Sequence, residues 1–255
     1  MASLSSESLT TDSRVKAIMI YPIKSCKGMS VSEAPLSPTG FLWDRHWAVV
    51  NSNNGRACTQ RVEPRLALIH VHLPPLAFSS SPPPPCSCLD SETRPVDPLY
   101  ATGFNVKFTD AFQFLLISQA SLDTVNEQLK EPVSINRFRP NILVDGCESF
   151  AEDLWKQIRI NQSNFHGVML CPRCKVPTIN QEDATEGSEP TATMMKFRSA
   201  KALEVNTTTT KYKGRVYLGQ MLVCEDNDSS FRKIISVGDI VHVEQVFSSY
   251  ADVAV

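Results

Sequence analysis

Nearly every apolar run in this chain is short and is cut off by proline, glycine, asparagine or aspartate. "RVKAIMIYPIKSC" alternates apolar with mixed residues through Tyr21 and stops at Pro22, as a strand entering a loop does. "WAVVNSNNGRACTQR" has the form of a hairpin, with Asn54-Gly55 supplying a turn of positive φ. In "RLALIHVHLP", Ala67, Ile69, Val71 and Leu73 alternate with Leu66, Leu68, His70 and His72. That pattern predicts a half-exposed strand with the two histidines at its rim. "FNVKFTDAFQFLLIS", "RPNILVDGC", "WKQIRIN", "FHGVMLC", "GRVYLGQMLVC" and "SVGDIVHVEQV" have the same β-rich character. "SQASLDTVNEQLK" reads instead as a helix: Ser118 is its N-cap, Leu122, Val125 and Leu129 share one face, and Pro132 stops it. Many short strands with few helices predict a mostly β, barrel-containing fold.

Residues 79–99, which open with "SSSPPPPCSCLDSE", break this pattern. Four successive prolines favour polyproline II and supply no amide donors, so the stretch reads as a linker. It divides a leader (1–13) and an N-terminal region (14–78) from a larger C-terminal domain (100–249). The chain has 255 residues and a net charge of -2, which gives no support for a nucleic-acid partner. Its eight cysteines follow no secretory signal, so they are expected as free thiols. No apolar run approaches the roughly 20 residues of a transmembrane helix. The leader is rich in Ser and Thr but carries acids, unlike a transit peptide, and predicts a cytoplasmic protein. GxGxxG, Walker and H-E-x-x-H motifs are absent, which removes the usual nucleotide and zinc-hydrolase readings.

The chemistry-bearing residues sit beside strand ends. "YPIKSCKG", "WDRHW", "NRFRPN" and "CPRC" place Lys24, Arg45, Arg139 and Arg173 next to apolar anchors. Taken singly, each is an ordinary salt-bridge partner. Brought together, they would make a cationic pocket for a phosphate and its attached polar ring, because guanidinium forks grip phosphate bidentately. Cys171 and Cys174 leave three alternatives. Structural zinc needs two further ligands, for which Cys147, His166 and Cys224 are candidates. A thioredoxin-like switch needs a helix after the first cysteine, and "KVPTI" does not favour one. The third is a single thiolate on a transition metal whose other ligands come from a cofactor.

"IYPIKSCKG", "TGFLWDRHWAVV", "TQRVEPRLALI", "NRFRPNILVDGCESFAEDLW", "CPRCKVPT" and "GQMLV" followed by "VGDIV" resemble, in this order, the MOSC-domain proteins of the amidoxime-reducing type. The resemblance runs from about Val15 to Val246. It implies a MOSC-type β-barrel domain preceded by a MOSC N-terminal β-barrel region, and a bound molybdenum cofactor, a pterin dithiolene with a terminal phosphate. By position, Cys174 matches the thiolate that ligates molybdenum. Lys24, Ser25, Arg45, Arg139, Asn141 and Arg173 match residues that hold the pterin and phosphate, and Asp110 matches an acid near the metal. Cys147 matches a recurrent cysteine that is not the ligand. The implied activity is reduction of N-hydroxylated compounds, with electrons from cytochrome b5 and its NADH-dependent reductase and Asp110 assisting protonation. The alternative is a cofactor carrier like the C-terminal region of molybdenum cofactor sulfurase; a remnant that binds nothing is a third reading. A mitochondrial location is the alternative to a cytoplasmic one. Two departures stand out: Pro172 replaces the family's serine, and strands and a helix expected between "LIHVHLP" and "ETRPVDP" are missing, so the N-terminal region reads as truncated.

Overall fold

A computed structural model describes residues 13–74, 77–78, 93–205, 214–225 and 233–254. The strands, in chain order, are β1 (Arg14–Ile20), β2 (Ile23–Lys24), β3 (Met29–Val31), β4 (Glu33–Ser37), β5 (Gly40–Phe41) and β6 (Trp47–Ala48). Next come β7 (Arg94–Pro95), β8 (Asn105–Val106), β9 (Phe114–Ser118), helix α1 (Gln119–Glu127), β10 (Ile142–Asp145), β11 (Trp155–Ile160) and β12 (Ser163–Pro172). Short helices α2 (Thr191–Met194) and α3 (Ala200–Leu203) precede β13 (Tyr217–Cys224), β14 (Ile234–Ser236) and β15 (Val241–Val246). The fold is mostly β.

Eight strands form one sheet in the order β15-β11-β12-β13-β9-β10-β1-β3. The sheet curls until its first and seventh strands meet at one end. There Arg14 bridges Ile240, and the Val241 amide donates to the Ser13 carbonyl at 2.8 Å. β1 therefore changes partner along its length, meeting the start of β15 with its first residues and pairing β3 through Ile18–Ile20. The N-terminal strand is thus built into the same sheet as the C-terminal ones, and β4 likewise pairs β14. β9 and β10 run parallel, which requires a crossover, and α1 supplies it. The Ser118 side chain accepts from the Ser121 amide at the start of α1, as its N-cap position predicts.

Inward residues of the alternating strands fill the curl: Ile18, Ile20, Ile142, Val144, Ile158, Ile160 and Val241 lie in one buried cluster. Phe41, Phe114 and Phe165 stack edge-to-face through it, with ring centroids 4.9 and 5.4 Å apart. At the base of α1, the buried Glu152 carboxylate accepts from the Ser118 amide and the Ser121 hydroxyl, each at 2.9 Å. Its neighbour Asp153 pairs with the buried Arg198 guanidinium. Burial first, and then Asp153, push Glu152 up to about 7.

Three local expectations change. "RLALIHVHLP" is not a strand: Pro64–Leu68 form a 3-10 turn, with Pro64 in its first turn and the Glu63 carboxylate capping the Arg65 amide. Residues 69–74 have no ladder to join, and the adjacent Leu66 and Ala67 are both buried, which a period-two strand forbids. The Asn54-Gly55 turn forms, with Gly55 at φ +66, but its arms meet in a single Val50–Ala57 bridge. β6 pairs in parallel with β2 instead. Finally, Arg94–Pro95 pair with β8 inside the stretch expected to be linker. The rest of that stretch, 79–92, and leader residues 1–12 lie outside the described residues.

Candidate functional site

Tyr21, the first residue after β1, is the hub of the site. The guanidinium carbons of Arg45 and Arg139 each lie 4.2 Å from its ring centroid. The negative face of the ring offsets part of the repulsion between these cations. Its amide donates to Asp44 at 2.8 Å and its hydroxyl to the Pro140 carbonyl at 3.0 Å. Burial pushes the phenol up to about 12 although both arginines pull it down, so it stays neutral. The loop after β2 can close over this ring only because residue 28 is glycine. A Cβ there would lie 2.3 Å from the Tyr21 ring.

Arg45 donates to Asp44 at 2.6 Å, to Asn141 Oδ1 at 3.1 Å and to the Arg139 carbonyl at 3.4 Å. Arg139 donates to the Cys26 carbonyl at 2.8 Å. Burial pulls Arg139 down to about 10, which still leaves it charged at neutral pH. Ser25, Arg45 and Arg139 all sit in the left-handed region, with φ of 68, 48 and 56°. Non-glycine residues avoid this region, and such strain gathers at sites that the surrounding structure over-determines. Asn141 is 2 % exposed and bonded at both ends: its Oδ1 also accepts from the Leu115 amide and its Nδ2 donates to the Met19 carbonyl. It orients Arg45 from within the core.

The thiol pair lies at the end of β12. Arg173 donates to the Cys171 sulfur at 3.0 Å and to the Phe138 carbonyl at 2.6 Å, which ties it to the turn that carries Arg139. Its Nε is buried without a partner. Cys171 is buried, and burial pushes its thiol up. Cys174 is half-buried and within reach of the Arg61 guanidinium. Arg61 also donates to Asp110 at 2.6 Å, and Lys24 grips the other oxygen of that carboxylate at 2.5 Å. Partial burial opposes ionisation of Asp110, but these two cations outweigh it and hold the group below its usual range. A carboxylate so clamped does not carry a proton at neutral pH, which argues against Asp110 as the acid expected to assist protonation.

All eight residues singled out from the sequence therefore join one connected network. Sequence reasoning missed four of its members. Tyr21 and Asp44 were hidden inside quoted motifs, and Arg61 within "TQR". The fourth, Gln60, is 0 % exposed; its amide donates to the Ser25 carbonyl at 2.7 Å and exchanges 3.1 Å bonds with Gln181. It holds the Arg61 turn against both the Ser25 loop and the segment that follows Cys174. The zinc alternative finds no ligand set. His166 pairs with Glu225, Cys224 lies in the core, and no group of three His, Cys, Asp or Glu among the described residues could hold a metal. Val176–Thr178 form a 3-10 turn, so the helix a thioredoxin-like switch needs does not follow Cys174.

Comparison with known proteins decides the family. A model of the MOSC domain matches residues 104–242, more than half of the chain, and one of the MOSC N-terminal beta barrel domain matches residues 12–81. The chain belongs to the MOSC-domain family. Mitochondrial amidoxime-reducing component 1 of Mus musculus is 30% identical over 242 residues, covering 72% of this chain and 71% of the relative. The Homo sapiens protein of the same name is 29% identical and covers 90% of this chain and 82% of the relative. Molybdenum cofactor sulfurase of Oryza sativa is 26% identical and covers 93% of this chain but 36% of the relative. That alignment runs over 312 positions, more than the chain's 255 residues, so it opens gaps opposite this sequence. Lys24, Ser25, Arg45 and Arg61 fall within the first matched span of this MOSC protein, and Asp110, Arg139, Asn141, Arg173 and Cys174 within the second. Among the described residues, no helix is long and apolar enough to cross a membrane.

Proposed function

We propose that the chain is a molybdenum-cofactor oxidoreductase that reduces N-hydroxylated compounds, such as amidoximes and hydroxylamines, to their amino forms. One observation carries the reading: Arg45 and Arg139 converge on Tyr21 while Arg173 and Arg61 flank the thiol pair. Cationic donors for a phosphate and a half-exposed thiol for a soft metal thus share one network. The residues fit such a group. The described bonds engage one N–H donor of Arg139 and three of Arg45, out of five on each guanidinium, and Arg173 Nε is a buried donor without a partner. Arg45, Arg139 and Arg173 would hold the anionic end and the ring of the pterin, with Ser25 and Lys24 at the rim. Asn141 would act by fixing Arg45.

Cys174 would be the single thiolate ligand: it is the accessible thiol of the pair, whereas Cys171 is buried under Arg173. When bound, the cofactor supplies the two electrons that cleave the N–O bond. Two protons complete the reaction, and water leaves with the oxygen. Asp110, ionised between Lys24 and Arg61, would hold Arg61 beside the thiol, and solvent supplies the protons. Pro172 cannot offer the amide or hydroxyl of the serine it replaces, so Arg173 carries that side of the cradle.

Cytochrome b5 and its NADH-dependent reductase are the proposed electron donors. The names of the amidoxime-reducing relatives favour the mitochondrial location over the cytoplasmic one. The test is NADH oxidation by the purified chain with both donor proteins, with and without an N-hydroxylated amidine. Substrate-dependent oxidation with formation of the amidine is the expected result; oxidation that ignores the substrate contradicts it. The sulfurase relative, aligned over 93% of this chain, favours a second reading as a cofactor carrier without turnover. In that case cofactor would be bound and no amidine would form.

A further inference from the structure

A depression of about 410 Å³ opens beside Asp110. Lys24, Arg94, Lys107, Phe108, Thr109 and Asp110 line it. Its size suits a small-molecule substituent, since ligand pockets begin at about 300 Å³. The charges in its wall are unbalanced. Asp110 is the single carboxylate among these lining residues, and both its oxygens are already gripped by Lys24 and Arg61. Arg94, exposed on β7, donates through Nη2 to the carbonyls of Thr109 and Asp110, which leaves its Nε and Nη1 donors without a described partner. Lys107 makes no ion pair or hydrogen bond among the described residues. Thr109 is 6 % exposed, and its hydroxyl is buried without a partner. A buried hydroxyl with no partner costs free energy unless a ligand or water satisfies it.

We infer that this depression is an anion-binding subsite, in which Lys107, Arg94 and the Thr109 hydroxyl receive a carboxylate or phosphate carried by a small molecule. Three lining cations, Lys24, Arg94 and Lys107, against the one carboxylate of Asp110 leave a net positive wall. A fixed guanidinium beside a mobile ammonium and a hydroxyl is a donor set for an oxyanion, with no acceptor left to attract a cation. Its position beside Asp110 and Arg61 places a bound anion one residue away from the candidate thiol ligand's own partners. The subsite would therefore select, among N-hydroxylated substrates, those with an acidic substituent. That selectivity rests on the reduction proposed above; the anion site itself does not.

The test has two arms, both on the full chain. In the first, inorganic phosphate is titrated by calorimetry into the unaltered protein and into Lys107→Ala, Lys107→Glu and Thr109→Val. Lys107 is a half-exposed surface side chain, so its variants should keep the fold, which circular dichroism checks. Binding weakened about tenfold by Lys107→Ala, and further by Lys107→Glu, is the expected result. Undetectable binding, or phosphate binding that ignores all three variants, overturns the subsite. In the second arm, KM and kcat are compared for two N-hydroxylated amidines, one neutral and one bearing a carboxylate. Lys107→Ala should raise KM about tenfold for the acidic substrate alone and leave kcat unchanged. Equal effects on both substrates overturn the selectivity. A chain with no turnover at all fails the reduction reading, while the phosphate arm still decides the anion site.

Discussion

Gln60 offers the sharpest test of how the site is held together. Its side chain is 0 % exposed and makes three hydrogen bonds, one to the Ser25 carbonyl and two with Gln181, which is itself 5 % exposed. Gln60→Ala strips the donor from the Ser25 carbonyl and from Gln181 Oε1, while Gln181 Nε2 keeps its 3.0 Å bond to Ile179. A buried polar group left unsatisfied costs about 1–3 kcal/mol, so two of them with the vacated volume cost about 3–5 kcal/mol. For a chain of this size that lowers Tm by roughly 6–20 °C. The Arg61 turn also loses its anchor, so Cys174 and Asp110 lose a shared partner and cofactor retention falls with stability. The paired change Gln60→Leu with Gln181→Leu replaces both amides by apolar groups and leaves the Ser25 and Ile179 carbonyls without these donors. It should cost less than the two single Leu variants summed, with a coupling of about 1–3 kcal/mol in urea unfolding. Single variants that cost under about 1 kcal/mol and add without coupling would refute the claim that this amide pair clamps the site.

Three further outcomes follow from the same structure. Arg45→Ala or Arg139→Ala should each weaken cofactor retention about tenfold or more, read as pterin released on dilution, because each removes charge-assisted hydrogen bonds to an anion. Tyr21→Leu, which stays apolar but removes the π face and the hydroxyl bonded to Pro140, should lower retention through both arginines at once. Glu152, held near 7 in the fold against its ordinary value of 4.5, binds more protons folded than unfolded between those values. The contribution of Glu152 to stability is therefore fully present below about pH 4.5, is lost as pH rises toward 7 and then levels off, a loss of about 3 kcal/mol. Glu152→Gln should flatten that slope in thermal unfolding across pH 4–8, and an unchanged slope would show that Glu152 is ionised in the fold.

Strands were legible where a residue pattern and a pairing partner coincided. β1, β10, β11, β12, β13 and β15 each carry alternating or continuous apolar runs, and each finds a ladder. "RLALIHVHLP" had the alternation without a partner, and Pro64 with the Glu63 cap took the local backbone into a turn. The three positive-φ residues at the site could not be read from identity, because Ser25, Arg45 and Arg139 are not the residues that favour that conformation. Gln60 leaves no periodic trace: a buried amide is recognised by its partner, and Gln181 lies 121 positions away. Asp110 was found by resemblance, but its charge state needed the geometry of Lys24 and Arg61 around it. Cys171 and Cys174 were a pair in sequence. Their difference in burial separates the thiol under Arg173 from the one open to a ligand.

The central claim is that one thiolate and a set of arginines hold a molybdenum pterin. Metal and pterin content of the purified chain, of Cys174→Ala and of Cys171→Ala tests it most directly. The account predicts molybdenum and pterin in equal amounts in the unaltered protein, loss of molybdenum ligation in Cys174→Ala and substantial cofactor in Cys171→Ala. Zinc without pterin, or equal loss of metal from both variants, would contradict it.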